Sequence, residues 1–355
     1  MDASTSALPA DPSRHLQGEE QHVIDRLWDF SDPAKSEERF REAADDDSYS
    51  VHVRQSMATQ LARAIGIQGR FDEGLAVLDA VAAELSASEP AADQAAVEPA
   101  VNESGADEAA AEPEAAESGA DEASGEPEDA AGRPEGATDQ PEDAAGRADE
   151  ASEPAPSDAA AAGASDQPDE AARQAAAAEA AEVRARVALE RGRLLTSAGR
   201  PAEAVPVLTR AARDAAHAGS AFLVLDALHM LALTDAGHER EWAEQGFELL
   251  AADRDPRVLR WGVALHNNLG WTLHDGGDAE AGLAEFQLAV EFADRYGTTD
   301  QQHVTRWSVG RALRTLGRTD EALALQRELA RAKPDDPYVA GEIEALTAGD
   351  PTIEE

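Results

Sequence analysis

Two small residues recur along this chain on one period, and that recurrence limits the fold more than any other feature. The first series is Ala62, Gly192, Ala232, Gly270 and Gly310, spaced 130, 40, 38 and 40 residues apart. The second is Gly74, Ala204, Ala243, Gly282 and Ala322, spaced 130, 39, 39 and 40. Around both, apolar residues fall at i, i+3 and i+4 over Met57–Leu85, Val183–Ala216, Ala221–Ala251, Val263–Ala293 and Val304–Ala332. That is the period of helices that bury one face. Turn signals at Gly69-Arg70, Gly199-Arg200, Asp275–Asp278 and Gly317-Arg318 fall inside these windows, so each window is predicted to be a pair of helices, A and B. The fold class is all-α, with no strand signal. A small residue held at one place in each helix is what a close crossing needs, because a larger side chain would hold the two axes apart.

The first spacing is too long for one repeat, which leaves about 90 residues to place elsewhere. Residues 86–180 supply them, with 26 acidic and three basic side chains, nine of the 18 prolines, and no aromatic residue, Leu, Ile or Met. Such a stretch cannot bury enough apolar surface to offset an ordering entropy of about 1–2 kcal/mol per residue. It is predicted to be disordered and extended by its own charge. It also duplicates itself: ESGADEA begins at Glu103 and Glu117, and PEDAAGR at Pro127 and Pro141. Both a slippage-expanded linker and a reiterated acidic docking motif fit that pattern. Its last part, Glu170 to Ala181, is Ala-rich and Pro-free and can run into the helix that follows. The segment is expected to interrupt the turn between the first repeat and the second. Both halves would still stack, because the cost of closing a loop grows only logarithmically with its length. The expected organisation is an N-terminal tail with capping helices over 1–50, a first repeat over 51–88, the acidic insertion over 89–180, repeats two to five over 181–336, and a C-terminal capping helix and tail over 337–355. At the N-terminal end Glu19–Asp29 forms one helix, and Asp32-Pro33 starts a second that buries Phe40.

With these residues in place, the chain resembles the tetratricopeptide repeat family, whose pattern is W-x2-L-G-x2-Y, then A-x3-F, then P. The fullest match is Leu269-Gly270 with Leu273 in the Tyr place, then Gly282-x3-Phe286 and Ala289. Another is Val309-Gly310, Leu313, Ala322 and Pro334. The resemblance covers roughly 51–88 and 181–345 and is to a longer variant with a period near 40 rather than 34. Arg191 takes a usual Leu place, and Asp235 stands in the third repeat where Tyr or Leu belongs. The resemblance implies a helical-hairpin solenoid whose A helices line a concave groove. It also implies which side chains point inward: those one after, three before, three after and four after the small residue. Those positions give a candidate peptide-binding groove of Arg63, Arg193, Asn267, Trp271, His274, Trp307, Arg311 and Arg314, with Leu233 in the same register. Arg offers a planar fork for carboxylates and Trp a rigid contact area. Equally, these arginines can pair with local acids such as Glu190, and the tryptophans can be core.

A formal charge of −42 argues against nucleic acid and anionic membrane as partners, since repulsion would have to be overcome first. The chain has no Cys, and hence no thiolate chemistry. No apolar run reaches the length of a membrane span, and the N-terminus shows no secretory signal, so a cytoplasmic protein is expected. Arg outnumbers Lys 28 to 2, as in GC-rich bacterial coding. None of the phosphate-cradling, dinucleotide, metalloprotease or nucleophile-elbow motifs occurs. His266 and His274 lie two turns apart without further ligands, and Asp45-Asp46-Asp47 lacks the Gly turn and terminal Glu of a calcium loop. No catalytic residue, metal or cofactor is therefore expected. The first functional expectation is a non-enzymatic scaffold or adaptor that holds a partner protein or peptide, with acidic or C-terminal carboxylate groups, in the groove. The alternative is a ligand- or peptide-responsive regulator, with the acidic insertion autoinhibitory.

Overall fold

The computed structural model describes residues 23–88 and 167–348, and among them every regular element is a helix. The helices are α1 (described over 23–27), α2 Pro33–Asp45, α3 Val51–Ile67, α4 Phe71–Ser88, α5 Gln167–Ser197, α6 Pro201–His217, α7 Ala221–Thr234, α8 Glu239–Ala252, α9 Pro256–Leu259, α10 Trp261–Asp275, α11 Ala279–Tyr296, α12 Thr299–Thr315, α13 Thr319–Ala332 and α14 Pro337–Thr347. The five periodic windows are five hairpins: α3/α4, α5/α6, α7/α8, α10/α11 and α12/α13. No helix among the described residues is long and apolar enough to cross a membrane.

The hairpins close for the reason the small residues suggested. A Cβ added at Gly270 would stand 2.5 Å from the Phe286 ring, and one at Gly282 would stand 2.8 Å from the Gly270 carbonyl oxygen. Gly74 repeats the second contact against the Ala62 carbonyl, also at 2.8 Å. Each partner approaches where the other has no side chain, so the backbones cross nearly in contact. The residue four after the helix B small position fills the remaining space: Leu78, Leu208 and Phe286 are all fully buried there.

The A-to-B turns share a second device. Gly199 and Gly317 each have φ of 71°, a left-handed conformation that costs a side-chain-bearing residue but not glycine. The Gly317 N–H then donates to the Arg314 carbonyl at 3.0 Å, and the Arg318 N–H to the Leu313 carbonyl at 2.9 Å. This pair of bonds satisfies carbonyls that the helix end leaves open. Arg318 goes on to bind Glu321, and Arg200 likewise binds Glu203, through paired hydrogen bonds of 2.7–2.8 Å. A Gly-Arg-x-x-Glu signature therefore marks the second and fifth turns, and Gly69, Arg70 and Glu73 repeat it in the first.

Successive hairpins stack in two layers. Each B helix packs on the next A helix, and the A helices α3, α5, α7, α10, α12 touch in sequence. α14 packs on α13 and α12 as α12 does on α11 and α10, so it ends the stack as a sixth A-type helix. α2 covers the other end: Asp32 caps it by accepting from the Lys35 N–H, Pro33 opens it, and Phe40 is fully buried, as expected. α3 and α4 pack directly on α5 although 78 residues of sequence separate Ser88 from Gln167. One apolar cluster joins Ala62, Leu78, Val81 and Leu85 to Val183, Val187 and Leu194, and Gly66 makes room for Leu194. The first and second hairpins are therefore direct neighbours in the stack.

Two boundaries differ from expectation. α5 begins at Gln167 rather than near 181, because the Ala-rich, Pro-free stretch from Glu170 has high helix propensity and continues a helix already held by packing. The rest of the acidic segment, with its duplications and predicted disorder, and the tails before 23 and after 348 lie outside the described residues. The third hairpin also departs from the others: α7 stops at Thr234, with Asp235 as its C-cap, and its turn glycine, Gly237, comes two residues early in register. The four-residue α9 is then inserted before α10.

Candidate binding face

The A helices touch one another in sequence, and the eight candidate groove residues all lie on them. Polar bonds run from one A helix to the next along these helices. Gln60 of α3 donates to Glu190 of α5 at 3.4 Å. Arg193 of α5 binds Glu190 at 3.1 Å and reaches Asp226 of α7 at 2.7 Å. His229 of α7 meets Asn268 of α10 at 3.0 Å through Nδ1. The Ser308 hydroxyl of α12 donates to Asn267 of α10 at 3.0 Å. Arg311 and Arg314 of α12 both grip Glu342 of α14, at 2.8 Å. Alongside runs a second row, Thr196 with Thr234 at 3.0 Å and His274 with Thr315 at 2.8 Å. These polar pairs add to apolar contacts between the same A helices, such as Leu194 of α5 at Gly66 of α3 and Trp271 of α10 beside Trp307 of α12.

The electrostatics follow from burial. Desolvation opposes the Arg193 charge, but Asp226 and Glu190 outweigh it and raise its pKa further above the ordinary value. His229 is fully buried. Desolvation pulls its pKa down to about 4; Asp226 opposes that, and the Arg193 and Arg63 charges add to it. The imidazole is therefore neutral at pH 7. Its Nε2 atom is buried without a hydrogen-bond partner among the described residues.

Each expected groove residue has a definite place. Arg63 is buried with its guanidinium 5.4 Å from the Trp28 ring and 5.7 Å from Phe30, in cation–π range of both. Arg193 is paired as above, including the Glu190 bond that local pairing anticipates. Asn267 is buried in its bond to Ser308. Trp271 and Trp307 are core side chains, 5.7 Å apart, with Trp271 edge-on to Phe286 at 5.0 Å. His274 spans Asp275 and Thr315. Arg311 and Arg314 keep about a third of their side chains exposed, 31% and 29%. Leu233, in the same register, is 45% exposed and one of the few large apolar side chains left open. The face thus gathers its residues in two groups: Arg63 and Arg193 around α3, α5 and α7, and Trp271, His274, Trp307, Arg311 and Arg314 around α10 and α12.

Four participants carry no periodic signal: Asp226, Glu342, Asp25 and Arg257. The Arg257 guanidinium binds the Asp25 carboxylate at 2.9 Å across 232 residues of sequence. No spacing rule reaches across such a separation. No protein-family model matches the chain, and no curated protein matches it.

Proposed function

We propose that the chain is a solenoid of the tetratricopeptide type acting as a non-enzymatic scaffold or adaptor, with a partner polypeptide held on its A-helix face. The observation that carries this reading is the continuity of the A layer: α3, α5, α7, α10, α12 and α14 follow one another without a break. Stacked hairpins of this kind offer an extended surface rather than an enclosed reaction chamber. Two features of that surface support a polypeptide ligand. Leu233 offers an exposed apolar anchor on α7, and two A helices further along Arg311 and Arg314 offer guanidinium edges. The chain's own use of arginine supports a ligand with carboxylates, since Asp25, Asp226 and Glu342 each lie on one or two guanidinium groups. Charge-assisted bonds of this kind are roughly twice as strong as neutral ones.

The test is an affinity capture from lysate on the immobilised full chain, run beside Leu233→Asp. A dominant protein that is captured by the wild-type chain and lost with the variant, while helix content stays equal, is the expected result. Equal capture by both, or recovery of a small metabolite in place of a protein, would turn the reading toward another surface or toward a sensor.

A further inference from the structure

The N-terminal end of the described chain does more than cap the stack. α1 is held at two places far apart in sequence. At the first hairpin, Trp28 donates to Gln60 at 3.1 Å and stacks on Phe30 with ring centroids 4.6 Å apart, and Arg63 lies over both rings. Ile24 is fully buried with Met57, Leu61 and Ile65. Beyond the third hairpin, Asp25 binds Arg257 of α9, and its carboxylate side chain is only 2% exposed. A segment of eight residues thus reaches from α3 to the junction before α10, over residues of the same A layer that carries the proposed groove.

The way this segment is held differs from the way the hairpins are held. No small residue brings its backbone against another helix. Towards α3 and α9 its anchors are an ion pair, one indole hydrogen bond, a cation–π pair of contacts and Ile24 in the apolar cluster; towards α2 they are Trp28 edge-on to Phe40, the Arg39 guanidinium on the Leu27 carbonyl and the Asp29 N–H on the Ser36 hydroxyl. Its far anchor is also a special construction. α9 is present only between the third and fourth hairpins. There Asp255 caps the short helix by accepting from the Arg257 N–H at 2.9 Å, and the Arg257 guanidinium lies 5.8 Å from the Phe222 ring. The stack needs no such element to continue, since among the described residues the α6–α7 and α11–α12 junctions do without one. What α9 adds is a fixed arginine facing Asp25.

We infer that residues 23–30 form a detachable strap on the A-helix face, and that the ligand fitting this part of the face in trans is a short helical peptide presenting an aliphatic residue, a carboxylate and two aromatics in the order of Ile24, Asp25, Trp28 and Phe30. The inference rests on the scaffold reading and gives it a ligand chemistry. Arg257 selects the carboxylate, Gln60 the indole N–H, and Arg63 the paired rings. A partner of that kind competes with a strap tethered at millimolar-scale effective concentration, so binding and strap release are one equilibrium.

The test uses a fluorescently labelled peptide of residues 23–32 and the full chain. Binding to the Asp25→Ala/Trp28→Ala variant is expected to be about tenfold or more tighter than to wild type. Adding Arg257→Glu should abolish that gain, and a peptide bearing Asp25→Arg should restore it. A variant that keeps its helix content and binds the peptide no better than wild type overturns the strap. Hydrogen exchange on the unmodified chain decides the matter independently of any variant. Amides of 23–27 should exchange at least about tenfold faster than those of α3, and equal protection would make the segment a fixed layer. Peptide failure with partner capture intact rejects the strap alone. Peptide binding without any captured partner rejects the scaffold and leaves the strap.

Discussion

The fourth hairpin and the third show two ways of building the same unit. In the fourth, Gly270 and Gly282 let the backbones meet, and Phe286 closes the space between them with no surface left exposed. In the third, the equivalent small residues are Ala232 and Ala243, and the residue equivalent to Phe286, Phe247, is only half-buried. It stacks instead on His266 of the next hairpin, 4.2 Å away. The third hairpin makes up its attachments with polar groups: Asp226 to Arg193, His229 to Asn268, and Asp235 accepting from the Trp242 indole at 2.9 Å. Both hairpins are tied to their neighbours, but the fourth also closes on itself at an apolar crossing, whereas the third leans more on charged and polar groups. Stability at the third hairpin should therefore depend on charge and pH in a way that stability at the fourth does not.

The comparison breaks most visibly at the paired phenylalanines. Phe286→Ala leaves a cavity at a closed crossing and should cost about 3–5 kcal/mol. Phe247→Ala removes a half-buried ring and should cost less than half of that, about 1–2 kcal/mol. Chemical denaturation of both variants checks this, and equal losses would mean that the two crossings are packed alike. Next comes Asp226→Ala, which leaves Arg193 buried with Glu190 as its remaining acid. Breaking a buried pair from one side costs about 3–5 kcal/mol, and Glu190 should hold this loss near the lower end. Arg193→Met together with Glu190→Gln in the same background should recover part of it, because both stranded charges are then gone. No recovery would mean that Asp226 matters for something other than the guanidinium.

That division also decides what could be read in the sequence. The hairpins, their order, the excursion between the first two and the caps at Asp32-Pro33 and Pro337 follow from local rules of propensity, small-residue spacing and capping. The start of α5 was missed because composition favours disorder and helix alike over an Ala-rich acidic stretch, and only packing downstream decides between them. That the eight candidate residues lie on A helices was legible from their distance to Ala62, Gly192, Gly270 and Gly310, and the reading that the tryptophans are core is the one that Trp271 and Trp307 follow. The partners of the candidate residues were not legible. Glu342 and Asp226 sit on helices whose acids are numerous, and nothing local distinguishes the one that a guanidinium reaches. Asp25 and Arg257 are the extreme case, a contact between the first described segment and the short helix that follows the third hairpin. The Gly-Arg-x-x-Glu turns were visible but were read only as breaks. Their Arg–Glu bonds are solvent-exposed, and exposed pairs of this kind are worth little.

His229 sharpens the comparison through pH. Its folded pKa of about 4 lies below the ordinary 6.5, so above pH 6.5 the imidazole is neutral folded or unfolded and the native state keeps its full advantage. As pH falls from 6.5 toward 4, the unfolded chain takes up a proton that the folded chain refuses, and stability is lost. The span corresponds to about 3 kcal/mol at most. His229→Asn should flatten the slope of unfolding free energy against pH in that window, with little change at pH 8 beyond a constant offset. An unchanged slope would place the acid sensitivity on carboxylates elsewhere.

The smallest effect tests the continuity of the stack itself. Replacing 89–166 by a short Gly/Ser linker removes no contact between α3, α4 and α5, since those contacts lie in Ala62, Leu78, Val81, Leu85, Val183, Val187 and Leu194. What changes is the entropy of closing the loop. Shortening it about eightfold is three halvings, worth about 2 kcal/mol in favour of the folded chain. The thermal transition should therefore rise slightly or stay in place, and the helical signal should be kept apart from whatever the removed residues contribute. A fall in the transition, or a first hairpin that unfolds separately from the other four, would show that the segment takes part in joining them. The common period of Ala62 and Gly192 would then have a different cause from direct stacking.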